Sequence, residues 1–167
     1  ENKTLDLLEF PLVVKKLSNY TSLLVSHEKA LALRPLPNID SIFEKHQLIK
    51  EIFRVHEKGF SLAATNANDI RISVRSAEQG RILKPDELLA IAMNCDIGNS
   101  IKSFVHRFTE EISHISAITD NITDLEWLSS YIKNIIDAQG EIRDNATPEL
   151  YQIRKEILSI HTYLNDR

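Results

Sequence analysis

The sequence predicts a mostly α-helical fold: an irregular helical core domain over residues 1–146, a small β-hairpin near 134–144, and a terminal coiled-coil-like helix over 147–167. Three observations predict it. Four glycines and five prolines are few for 167 residues, so the chain is rarely interrupted and its elements are long. Apolar residues recur at helical intervals through most of the length. The last series, Leu150, Ile153, Ile157, Ile160 and Leu164, steps by three, four, three and four residues. That alternation marks a narrow coiled-coil seam rather than a broad globular face.

The elements follow in order. Residues 4–9 read as a short amphipathic turn leading into Phe10. Pro11 suits the first turn of a helix, where no N–H is needed, and Leu12, Val13 and Leu17 continue its apolar face. Ser26 is the expected cap of a short helix reaching Leu33, which Arg34, Pro35, Leu36 and Pro37 break. Asp40 is expected to cap the next helix, with Ile42, Ile49, Ile52 and Phe53 as its apolar positions until Gly59 ends it. Residues 60–68 read as a loop. Asp69 can cap a helix bearing Ile70, Val74 and Ala77, stopped by Gly80.

The longest helix opens at Pro85, with Asp86 and Glu87 in a first turn where the dipole favours carboxylates. Its apolar line is Leu88, Ile91, Cys95, Ile101, Val105, Phe108 and Ile112, with a kink or break expected at Gly98. Residues 113–121 stay open between helix and loop. Residues 124–133 are helical and bring Trp127 and Leu128 inward. Gly140 is the turn residue of the hairpin. Thr147 caps the final helix, Pro148 takes its first position and Glu149 its first turn.

The chemistry is as plain as the fold is helical. With 20 basic and 24 acidic side chains the net charge is −4, which argues against a chain that grips nucleic acid by itself, since phosphate neutralisation supplies most non-specific affinity. Glu44, Lys45, Lys50, Glu51, Arg54, Glu57 and Lys58 alternate in sign and read as a solvated helix face. Glycines 59, 80, 98 and 140 are isolated, so no phosphate-cradling loop exists and no nucleotide site is expected. Among histidines 27, 46, 56, 106, 114 and 161, none pairs at the three- or four-residue spacing that brings two imidazoles to one metal. Cys95 is the only cysteine; it excludes an internal disulfide and sits on the apolar line of its helix as a small core residue. Glu110 and Glu111 form no constrained carboxylate pair, and Trp127 reads as a core anchor. Catalytic, cofactor and metal residues are therefore expected to be none. No run approaches the ~18 apolar residues of a membrane span, and a reducing cytoplasm fits. Asn-x-Ser/Thr triplets at Asn2, Asn19, Asn121 and Asn145 matter only in a secreted protein.

Met93 is the only methionine and the terminal apolar pattern is still running at Arg167, so a piece of a longer protein is expected. Residues 139–154, Gln-Gly-Glu-Ile-Arg-Asp-Asn-Ala-Thr-Pro-Glu-Leu-Tyr-Gln-Ile-Arg, resemble the hairpin-to-lever junction of MutS proteins. There a Gly-x-Ile strand is followed by a short loop and a Glu-Leu-x-x-x-Arg helix start, and Asp-x-Ala-Ser/Thr before it is typical of the second bacterial branch. Residues 5–10, and Asp69-Ile70-Arg71 followed by Gly80, Leu83, Glu87 and Leu88, agree in order. Residues 24–27 depart from the family's glycine-containing turn.

The resemblance implies the first part of the core domain, ending in a rising lever helix whose seam is Leu150, Ile153, Ile157, Ile160 and Leu164. It implies a non-catalytic segment whose parent is a homodimeric ATPase using ATP and magnesium, in many members with a nuclease-like Smr domain. Family members are described as acting on mismatched or branched DNA, in suppression of recombination, and on collided ribosomes. The segment alone is expected to bind nucleic acid weakly or not at all and to self-associate or fray through its last helix. The alternative is a free-standing helical protein–protein interaction module. A Walker loop encoded downstream of Arg167 would favour the first reading, a stop codon the second.

Overall fold

A computed structural model describes residues 2–60 and 66–165; most of the expected loop over 60–68 and the last two residues of the expected lever lie outside the described residues. The described chain is mostly α-helical, with α1 Asn2–Leu7, α2 Phe10–Ser18, α3 Leu24–Leu31, α4 Ile39–Glu57, α5 Arg71–Glu78, α6 Pro85–Arg107, α7 Ser113–Thr119, α8 Glu126–Ile135 and α9 Pro148–Asn165. It divides into two units, one of Glu1–Asp69 with Ile97–Thr123, the other of Ile70–Asp96 with Asp124–Arg167. The continuous helix α6 contributes residues to both.

In the first unit, α2 starts after Glu9, whose backbone is left-handed at φ 53, and packs against α1 and α3. Helix α3 starts at Leu24, two residues before the expected cap, so Ser26 lies inside it and caps nothing. The turn before it closes through Tyr20 N–H to the Leu17 carbonyl and Thr21 N–H to that of Ser18, and His27 Nδ1 reaches back to within 3.0 Å of the Ser18 carbonyl. Helix α4 is capped by Asn38 rather than Asp40: the Asn38 side chain accepts the Asp40 N–H at 2.8 Å, the ordinary Ncap geometry.

The face that α4 turns inward is not the expected one. Val55 joins Val105, Ile112 and Ile115 in the unit's core, and Leu48, Ile101, Phe104 and Phe108 pack on it. Ile42, Ile49, Ile52 and Phe53 are exposed. The cause is Glu51, which belongs to the buried side and not to a solvated face. Its carboxylate accepts the backbone N–H of His114 at 3.1 Å and of Ile115 at 3.0 Å, serving α7, which has no side-chain cap of its own. Those two amides are among the orphan donors of a helix start, and satisfying them from α4 fixes which side of α4 faces α7. The once-ambiguous stretch 113–121 is thus helical through Thr119.

Gly98 does not break α6, which runs unbroken through it. A Cβ there would lie 3.5 Å from Ile122 Cγ2, an ordinary contact, so the packing at this position does not require glycine. Helix α6 ends at Arg107, and Ile112, fully buried, lies in the following turn rather than on the helix.

The second unit has its own core of Ala92, Ile132 and Ile136, with Leu88, Leu89, Ile91, Leu128 and Ile135 packed against it. The Lys84 N–H donates to Glu87 Oε2 at 2.8 Å, half of a capping box that starts α6. Cys95 is buried, and burial together with the neighbouring Asp96 charge pushes its thiol up, away from the reactive thiolate. Trp127 is not a core anchor: it is 67% exposed, because its neighbours Leu128 and Ile132 take the inward positions of α8. Asn134 and Ile135 belong to α8, so the hairpin shrinks to one antiparallel bridge, Ile136 with Ile142. Among the described residues no helix is long and apolar enough to cross a membrane.

Candidate functional site: the hairpin and the terminal helix

The candidate site lies in the second unit, where α8 passes through a tight turn into α9. Asp137 organises the turn. Its Oδ1 accepts the N–H groups of Gln139 and Glu141, both at 2.9 Å, an Asx-type arrangement, and its carbonyl accepts the Gly140 N–H at 3.1 Å. Gly140 has φ 85, a left-handed backbone that costs an L-residue with a Cβ but not glycine. The chain then returns beside α8, with Asp137 N–H on the Glu141 carbonyl and Arg143 N–H on the Ile135 carbonyl.

Side chains tie this turn to both neighbouring helices. On α6, Asp96 accepts Ser129 Oγ–H at 2.5 Å and pairs with Lys133, both on α8. Burial pushes the Asp96 carboxyl up, but Lys133 and Ser129 outweigh it and hold it below the usual aspartate range. The Lys133 carbonyl accepts Arg143 Nε–H at 2.9 Å. From the far side, Arg154 on α9 donates to the Ile142 carbonyl at 3.2 Å and pairs with Asp144. Thr147 Oγ1 accepts the Leu150 N–H at 3.2 Å and caps α9. The result is a chain of contacts from α6 through α8 and the turn to the base of α9.

Beyond that base α9 stands clear. Leu150 is half-buried, while Ile153, Ile157, Ile160 and Leu164 are between 50% and 62% exposed along one line. Tyr151 and Leu158, seven residues apart on another line, are exposed as well. The structure therefore brings the five seam residues onto one side of one helix, and Gly140 into the turn below it. Sequence reasoning missed two things here. One is the second apolar line. The other is the work of Arg154, whose only signal was its place at the end of the Glu-Leu-x-x-x-Arg spacing. At this junction Asp96, Lys133, Arg143, Asp144 and Arg154 are each engaged in joining one element to the next.

No family model matches the chain. Proteins named Endonuclease MutS2 match it end to end. That of Pelotomaculum thermopropionicum is 31% identical over 99% of this chain and 21% of its own length. The Symbiobacterium thermophilum protein is 25% identical over 100% of this chain and 21% of its own length, and the Bacillus velezensis protein 28% identical over 100% and 22%. The chain thus spans 21–22% of the length of these curated relatives.

Proposed function

Because the chain is MutS2-related from end to end, we propose that it is the core and first lever segment of a MutS-like ATPase and carries no catalytic residue itself. The observation that carries this reading is α9: an 18-residue helix, anchored at its base through Arg154 and apolar along exposed lines above it. A helix fixed at one end and prepared to pack along its length is suited to moving as a rigid rod between two sites. The parent is a cytoplasmic homodimer that binds ATP and magnesium in another domain. It acts on mismatched or branched DNA in the control of recombination, or on collided ribosomes, and the relatives' shared name adds endonuclease activity. The core supplies the fixed base, the seam of Leu150, Ile153, Ile157, Ile160 and Leu164 receives a companion helix, and Gly140 makes the turn that aims the rod.

The test uses a longer protein that contains this segment. Arg154→Ala frees the base of α9 by removing its bonds to the Ile142 carbonyl and to Asp144. ATP hydrolysis without DNA should be unchanged, while stimulation by branched DNA should fall at least about fivefold, the low end of ordinary coupling between sites. Unchanged stimulation would show that α9 transmits nothing.

A further inference from the structure

Helix α4 has two apolar faces, and only one is buried in its unit. Leu48 and Val55 lie on the core side with Glu51. Opposite them Ile42, Ile49 and Phe53 fall on one line along the helix and are 38%, 51% and 60% exposed; Ile52 lies to one side of that line and Ile39 and Phe43 to the other, exposed as well. Single exposed apolar side chains are ordinary, but a line of three flanked by further exposed apolar residues on one helix forms a stripe of the kind that marks interaction surfaces.

The charges of α4 are sorted in the same sense. Helical spacing sets Asp40 and Glu44 on the side of Glu51, and sets Lys45 on one flank of the outward line and Lys50 on the other, with Arg54 further round. Glu57 is the exception, a carboxylate on the outward side. Lys45, Lys50 and Arg54 are exposed, and none of the three forms an ion pair among the described residues. The outward face is therefore apolar along its middle and positive along its edges.

We propose that this face docks an amphipathic helix of a partner protein, apolar along its contact line and flanked by glutamate or aspartate, in the helix-on-groove manner. Charge complementarity selects that occupant. A second copy of the chain fits poorly: antiparallel pairing centred between His46 and Ile49 sets Lys45 of one copy against Lys50 of the other, and like charges so placed are repelled. An anionic membrane also fits poorly. Interfacial helices carry their cations on the face opposite the apolar one, and on α4 that opposite face packs on α7 and the core.

The test is a fluorescence anisotropy titration of the 167-residue chain with two labelled synthetic peptides of equal length. Both carry leucine at heptad seam positions; one has glutamate at the flanks and the other lysine. The glutamate peptide should bind at least about tenfold more tightly and weaken with salt. The pair Ile49→Ser and Phe53→Ser should abolish binding, and the pair Lys45→Glu and Lys50→Glu should invert the preference. Circular dichroism checks that each variant keeps its helix content. Four results would overturn the proposal: no binding of either peptide, equal affinity for both, a dimer of the chain dissolved by the serine pair, or capture by phosphatidylserine vesicles with no peptide preference.

Discussion

Glu51, Gly98 and Gly140 show how single residues fix the local structure. Glu51 is 4% exposed and holds two amides at the start of α7. Its replacement by alanine leaves the buried Ile115 amide and the partly buried His114 amide without this acceptor, a loss of about 1–3 kcal/mol, to be read as a lower urea midpoint. Burial pushes the Glu51 carboxyl up, but the His114 side chain and the His114 and Ile115 amides outweigh it and hold it below its ordinary 4.5. A carboxyl depressed in the folded state stabilises the fold above its unfolded value and loses that contribution as the pH falls through the folded value. Stability of the native chain should therefore drop on acidification below 4.5, and the Glu51→Ala variant should show a shallower drop in the same titration. The glycines give opposite signs for one chemical change. Gly98→Ala meets Ile122 at ordinary contact distance and improves the helix by roughly 0.5–1 kcal/mol. Gly140→Ala meets nothing within 4 Å but must hold φ 85, at a cost of about 1–2 kcal/mol. Thermal melts of the two variants should move in opposite directions.

At the scale of the element, Arg154→Ala removes an exposed pair worth roughly 0.2–1 kcal/mol, too little to unfold the unit. Its signature should be local: faster amide exchange at 142–144 and in the first turns of α9, with α8 unaffected. Much of this scale was legible in the sequence. The start of α6 at Pro85, the cap of α9 by Thr147 and the place of the turn glycine follow from backbone rules that act within a few residues. What was not legible has one physical cause. Helical periodicity finds an apolar line but not the side on which its partner sits. Helix α4 carries two such lines, and the choice between them rests on a carboxylate whose hydrogen-bond partners lie more than 60 residues away. Trp127 fails for the same reason, since its neighbours Leu128 and Ile132 satisfy the core without it. The hairpin was overdrawn because Ile135 and Ile136 suit a strand by composition, while α8 claims the first of them. At the candidate site the seam spacing was readable, but the second line through Tyr151 and Leu158 and the reach of Arg154 needed the fold.

For the whole molecule, a net charge of −4 offers no surplus for phosphate neutralisation, and the proposal is that the chain alone binds nucleic acid weakly or not at all. An anisotropy titration with duplex or branched DNA at physiological salt should show no half-saturation below about 1 µM. The central claim is that α9 is a rod built to be covered along its seam by something outside this chain's own core. Ile153, Ile157, Ile160 and Leu164, each at least half exposed, offer a gross gain of several kcal/mol on being covered, taking about 1.5–3 kcal/mol for each side chain when fully buried, to be set against the entropic cost of bringing two chains together. The most direct measurement is hydrogen exchange of the α9 amides at low and high protein concentration, with sedimentation run in parallel. The expected result is fast exchange in the dilute monomer and protection that rises with concentration as the chain associates. Replacing Ile157 and Ile160 by aspartate should abolish that rise while leaving residues before Asp144 unchanged. A strict monomer with α9 fully protected at every concentration would contradict the claim, because the seam would then be covered by the chain's own core.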